Sequence, residues 1–534
     1  MVDRRGFLVH SALLAAAGPA PLLAGQAVPP GDVASLLAAL QQGRLDSSDV
    51  VDALLARADA IDSAGPRVNA IVERNPLAQA IARAMDHERL QGRMRGPLHG
   101  VPILLKDNID TGDEMLTTAG SLALAVRPAP ADATLVRRLR AAGAVLLGKT
   151  NLSEWANFRG ARSVSGWSAR GGQTLNPHVL DRSPSGSSSG SAAAVAAGLA
   201  PLAIGTETDG SLVSPASMCG VVAIKPTLGV VSRHGLVPLA HSQDTAGPLA
   251  TCVADAALLL QAMAGADPAD PATTAPAAAV ARHRLAGLRL DAGALSGARL
   301  GVAREHFGVH PAADALAETA LATLRAAGAV LVDPVTVIAD TEALGAAEFD
   351  RLLHEFKAGL NAYLARRGDS AEVHSLAELI AFNRVHALAE MPWFGQETFE
   401  AAQARGGLDS PAYLRANATC KQLAWTHGLG AALRRHRLDA IVAPTTGPAY
   451  PIDPVGGDHW VGGSSQPAAV SGAPHITVPM GSAFALPVGL SFYGAPGHDA
   501  RLLQLAYAYE RRAPPRPEPG FLETVARPRG ALAR

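Results

Sequence analysis

Val101-Pro102-Ile103-Leu104-Leu105-Lys106 is an apolar stretch that ends on a lysine, in a chain of 534 residues that uses lysine only five times (106, 149, 225, 357 and 421) among 46 Lys and Arg. A short continuous apolar run reads as a buried strand. Burial disfavours the ammonium form of a lysine and lowers its pKa, and the same effect makes the side chain a base near neutral pH. Outward from this run, a helix begins at Asp132 and is closed by Gly143, and 144–147 is again strand-like before Gly148. Later strands are expected at 299–303, 329–335, 439–443, 475–478 and 487–492, with a helix near 312–326. This alternation argues for an α/β fold, with helices around a largely buried sheet.

Apolar residues recur at helical spacing upstream (Val33, Leu36, Leu37, Leu40; then Val51, Leu54, Leu55, Ala58, Ile61), so 30–95 reads as a helical wrap. The catalytic core is expected at 96–263. The stretch 264–290, low in complexity and dense in Ala, Pro, Asp and Thr, reads as a surface connection to a C-terminal half at 297–528. A hydrophobic content of 48% is ample for a large core. The net charge of −1 argues against a nucleic-acid partner, because proteins that bind one carry a clustered basic face. Cys219, Cys252 and Cys420 lack metal-type spacing and are odd in number, so neither a disulfide framework nor a metal site is expected.

Asp3-Arg4-Arg5-Gly6-Phe7-Leu8, followed by a Leu- and Ala-rich stretch to Leu23, resembles a twin-arginine export signal. His10, Ser11, Pro19 and Pro21 interrupt that stretch, which falls short of the roughly 20 apolar residues a membrane-spanning helix needs. Residues 1–27 are therefore expected to be removed. The mature chain, 28–534, is expected to work in the periplasm or outside a bacterial cell without a stable membrane anchor.

Two serine-bearing stretches could supply a nucleophile to a lysine base. Gly186-Ser187-Ser188-Ser189-Gly190 formally matches a nucleophile elbow centred on Ser188. That elbow must follow a strand directly, whereas 180–185 is polar and interrupted by Pro184. A phosphate loop fails as well, because Ser211 stands where its lysine should be. No lysine has a serine three positions before it. Gly205-Thr206-Glu207-Thr208-Asp209-Gly210-Ser211, after the apolar 201–204, suits a turn whose backbone N–H groups converge on an oxyanion, with Ser211 beside it. A serine hydroxyl needs a base, and the candidate is Lys106, directly or through Ser187.

These stretches together resemble the amidase signature family. Gly96 through Asn108 is similar to its lysine motif, Ser185 through Gly198 to its Gly/Ser-rich signature, and Gly205 through Ser211, with Cys219-Gly220-Val221-Val222 and Lys225-Pro226-Thr227, to its nucleophile region. Gly148 through Trp155, Ser242 through Pro248, and weaker traces at 478–481 and 487–490 extend the likeness over nearly all of the mature chain. The resemblance implies a large twisted mixed sheet covered by helices on both faces. It also implies Ser211 as the acylated nucleophile, Ser187 as a bridging serine on a cis peptide, and Lys106 as the base. Oxyanion-hole N–H groups would come from Thr208, Asp209, Gly210 and Ser211. Asp209 and Ser189 depart from the glycines usual at their positions, and both variants are most similar to the branch containing bacterial peptide amidases.

The implied activity is hydrolysis of carboxylic amides through an acyl-serine, with peptide C-terminal amides as substrates. Aryl, aliphatic or fatty acyl amides are the alternative. The transamidating subunit of a tRNA-dependent amidotransferase is a further reading, against which the export signal and the lack of a basic surface argue. Neither a metal nor an organic cofactor is required. The expected partner is a small-molecule or peptide amide, and the oligomeric state stays open. Trp155, Phe158 and Trp167 read equally as substrate-pocket lining or as core. Asp107 and Asn108 are expected to fix the turn that orients Lys106, Asp244 to support the site or form an Asx turn, and Lys149 and Lys225 to be structural.

Overall fold

The run 102–106 becomes a strand with every residue buried, because its neighbours on both edges and helices on both faces remove it from water. The computed structural model describes residues 32–525; the export-signal reading of 1–27 falls outside them. In chain order the strands are β1 (Ile71–Arg74), β2 (Pro102–Lys106), β3 (Val145–Thr150), β4 (Trp167–Ser168), β5 (Gly172–Gln173), β6 (Leu202–Glu207), β7 (Val222–Lys225), β8 (Thr245–Ala250), β9 (Arg299–Val302), β10 (Val330–Val332), β11 (Ala440–Pro444), β12 (His475–Ala483) and β13 (Leu486–Tyr493). β4 and β5 form a small ribbon of their own. The others make one 11-stranded sheet in the order β1-β3-β2-β6-β8-β7-β12-β13-β11-β9-β10.

The sheet is mixed. β3, β2 and β6 run parallel, as do β11, β9 and β10, while antiparallel pairs fill the middle and attach β1 at the edge. Alternating side chains show that both faces are covered. On β11, Ala440 and Val442 join Leu321 and Leu324 of the helix Pro311–Ala326 in one apolar cluster. Ile441 and Ala443 join Leu429 and Leu433 of the helix Leu429–His436 in another.

Two readings of the sequence need correction. The wrap at 30–95 is helical at Val33–Gln41, Ser47–Arg57 and Ala78–Leu90, yet it also contributes the edge strand β1. The stretch 264–290 is more than a surface connection: Pro276–Ala286 is a helix started by proline at its first position, and Ala278, Ala281 and Leu285 are buried. A third element, unassigned from sequence, matters most for the site. Thr341–Arg367 is a 27-residue helix whose N-cap Asp340 accepts from the Ala343 N–H.

Among the described residues no helix is long and apolar enough to cross a membrane. Ile441→Ala, which opens a cavity on the second face of the sheet, is expected to cost about 2–5 kcal/mol. Urea unfolding checks this, with a lowered midpoint at an unchanged slope.

Candidate active site

β2 and β6 lie side by side in parallel with Leu105 opposite Ile204, and just beyond that pair the Lys106 side chain meets Thr206. Lys106 is completely buried. Its Nζ lies 2.8 Å from Ser187 Oγ, 3.0 Å from Thr206 Oγ1 and 3.1 Å from Ser188 Oγ. The Ser188 hydroxyl donates to Thr206 O at 2.9 Å, so toward Lys106 it can only accept. Thr206 Oγ1 accepts from Asn108 Nδ2 at 2.9 Å and has a second lone pair for Lys106. A neutral amine has two N–H donors and one lone pair; Ser188 and Thr206 take the donors, which turns the lone pair toward Ser187. Burial pushes the Lys106 pKa down to about 7, and the charges of Glu207 and Asp244 keep it from falling further.

Backbone geometry makes room for this cluster. A Cβ on Gly205 would lie 2.5 Å from Ser188 Oγ, so only glycine lets the loop approach β6. The Gly186–Ser187 peptide is cis. Ser188 N–H donates to Ser211 O at 3.1 Å, which ties the serine loop to the turn after β6. That backbone bond brings Ser211 beside Ser187 and Ser188; among the described residues no hydrogen bond joins the Ser187 and Ser211 hydroxyls.

The turn itself is shaped by Gly210 at φ 77°, a left-handed conformation, and by Glu207, whose Oε2 accepts from Leu212 and Val213 N–H at 2.8 and 3.1 Å. Gly210 N–H also helps to hold the Glu207 carboxylate. Among the described residues the N–H groups of Thr208, Asp209 and Ser211 donate to no acceptor. Three donors are thus free on the stretch that carries Ser211.

Further residues brace this turn. Thr208 Oγ1 donates to Asp244 Oδ1 at 2.6 Å, and Asp244 Oδ2 accepts from the Leu239 and Ala240 N–H groups at 2.8 Å each. Asp244 therefore both supports the site and closes its own turn, and burial raises its pKa to about 6. Gln243 Nε2 donates to Thr208 O at 3.1 Å and to Glu348 Oε1 at 2.7 Å. Lys149 donates to Ile109 O and Thr117 Oγ1 and brackets the segment after β2. Asp107 pairs with Thr118 and Arg170 rather than with Lys106.

Trp155, Phe158 and Trp167 are core residues. Trp155 packs edge-on against Phe399, Phe158 against Phe356, and Trp167 against Phe394, in apolar clusters that exclude water. Exposed aromatic side chains lie elsewhere. Phe349 follows Glu348 in the long helix, and Trp460 lies in a loop whose Ser465 Oγ stands 3.0 Å from where a Gly210 Cβ would be. Among the described residues no cluster of His, Cys, Asp or Glu is arranged to hold a metal ion.

The sequence gives no separate site role to Thr206, Gln243 or Glu348, and it offers Ser188 only as the centre of a nucleophile elbow. Thr206 was within reach, since the alternation along β6 aligns it with Ile204. Glu348 was not, for it lies more than a hundred residues from its partner.

A sequence model described as Amidase matches residues 49–503. A "Probable amidase" of Arabidopsis thaliana is 39% identical over 491 residues, covering 91% of this chain and 90% of that protein. A glutamyl-tRNA(Gln) amidotransferase subunit of Chloroflexus aurantiacus is 36% identical over 514 residues, covering 90% and 96%. Among solved structures, native peptide amidase from Stenotrophomonas maltophilia is similar with a TM-score of 0.85 at 51% identity, covering 92% of this chain and 99% of that one. The peptide amidase solved with the competitive inhibitor chymostatin gives 0.86 at 52%, covering 91% and 99%.

With the Lys106 pKa near 7, kcat/KM is expected to rise with pH through neutrality as the amine loses its proton. A pH–rate profile from about 5 to 9 reads this limb, and a flat profile would contradict it. Thr206→Val removes one acceptor of the Lys106 N–H groups and is expected to lower kcat on the order of tenfold or more, since a positioned base contributes about 10²–10⁴. Steady-state kinetics on a turned-over amide measure it.

Proposed function

The chain belongs to the amidase family and is an amide-hydrolysing enzyme; from that premise we propose that it removes the C-terminal amide of peptides through an acyl-serine formed on Ser211. The observation that carries the reading is the completely buried Lys106 Nζ 2.8 Å from Ser187 Oγ, with its other contacts taken by Ser188 and Thr206. Neutral Lys106 accepts the Ser187 proton while Ser187 accepts that of Ser211, and Ser211 Oγ attacks the amide carbon. Negative charge moves to the carbonyl oxygen, facing the Thr208, Asp209 and Ser211 N–H groups.

The relay then returns the proton to the leaving nitrogen, the C–N bond breaks, and ammonia departs from a primary amide. Water next gives a proton to the same relay and attacks the ester carbon. Breaking the ester bond releases the carboxylic acid and restores Ser211. Peptide substrates are supported by the likeness to peptide amidase over nearly the whole chain. The export reading of 1–27 rests on Arg4-Arg5 and the interrupted apolar stretch after it.

Ammonia release from a peptide amide is expected to exceed hydrolysis of an acyl anilide, and Ser211→Ala is expected to abolish both. Equal or greater anilide turnover would move the substrate class to aryl or acyl amides. The similarity to glutamyl-tRNA(Gln) amidotransferase subunits supports a second reading, transamidation with partner proteins; co-purifying partners and glutamine-dependent activity would favour it. Fractionation of a producing bacterium is expected to find a shortened chain outside the cytoplasm, and replacing Arg4 and Arg5 by lysine to keep it inside.

A further inference from the structure

The oxyanion turn carries an acidic side chain where a growing negative charge would least favour one. Asp209 lies two residues before Ser211 and is half-buried, with its Oδ1 shielded from solvent and without a hydrogen-bond partner. A carboxylate there would oppose the oxyanion. Behind the turn, Glu348 of the helix Thr341–Arg367 accepts one amide N–H on each oxygen: Gln243 Nε2 on Oε1 and Gln466 Nε2 on Oε2, both at 2.7 Å. Gln243 is in turn held at its own carbonyl by Arg351, and its same Nε2 reaches Thr208 O. Ser465, next to Gln466, abuts Gly210. The turn is therefore gripped on two sides through residues that meet at Glu348.

We propose that Glu348 is a positioning residue for the reaction at Ser211, holding the oxyanion turn through Gln243. The inference rests on the reading of Ser211 as nucleophile. Glu348 has two N–H donors and the nearby Arg351 guanidinium to hold its carboxylate. Other charged groups around the turn are Glu207 on β6, Lys225 on β7 and Asp244 across Thr208. Burial first and the charge of Glu348 second push the Asp209 pKa above the usual carboxylate range, toward the neutral acid.

The test is kcat and KM for wild type and Glu348→Gln, with Ser211→Ala in the same assay and the melting temperature of each. Glutamine at 348 turns its own N–H groups toward the donors of Gln243 or Gln466, and the turn shifts. Expected is a loss in kcat on the order of 10²-fold at little-changed KM, the effect of a misplacement of about 1 Å. Wild-type kcat and KM in Glu348→Gln overturn the proposal. Should Glu348→Gln fail to fold, Gln243→Ala carries the test: reduced kcat at little-changed KM supports it, and kcat within about twofold of wild type overturns it. Active wild type beside inactive Ser211→Ala keeps a failure here distinct from a failure of the Ser211 reading.

Discussion

The desolvation of Lys106 is the constraint on which the rest of the site depends. An ammonium in water makes a poor base, and a lysine becomes one only where the fold removes that water and supplies partners suited to the neutral amine. β2 does this by ending, fully buried, between β3 and β6. The partners are hydroxyls and a strand carbonyl, not a carboxylate in contact, so nothing beside Nζ strongly favours the charged form. Glu207 and Asp244 act from further away and only moderate the effect. One strand end, one serine loop and one turn then suffice to orient a lone pair.

Around that centre the polar residues form braces of increasing reach. Asn108 fixes Thr206, Asp244 fixes Thr208, and Glu207 caps the helix Val213–Cys219 that follows Ser211. Gln243 and Glu348 carry the bracing into the long helix of the C-terminal half. The proposed three-side-chain relay would thus draw its geometry from strands and helices on both sides of residue 264. Such second partners locate catalytic groups to within the fraction of an ångström on which rate depends.

Parts of this were legible in the sequence because their signals are local. The runs at 101–105, 144–147 and 440–444 are continuous and apolar, as buried strands are, and Lys106, Ser187 and Ser211 each lie in a short distinctive stretch. β1 was hidden because it has four half-buried residues at the sheet edge within an otherwise helical segment. The helix Thr341–Arg367 was hidden for the opposite reason. It buries Glu348, Arg351 and Glu355, and polar residues on the inner face erase the apolar stripe by which a helix is recognised. Its role at the turn depends on a contact between Gln243 and Glu348 that spacing along the chain does not encode. The aromatic residues at 155, 158 and 167 show the limit of residue type as a guide, since packing among Phe356, Phe394 and Phe399 uses all three.

The central claim is that Lys106 is an uncharged amine at working pH, and the direct measurement is an NMR titration of lysine side-chain signals. With five lysines in the chain, comparison with Lys106→Met assigns the resonance. The account predicts a midpoint near 7 for Lys106. A midpoint near the ordinary lysine value of about 10.4 would leave the site with a permanently charged ammonium and contradict the account.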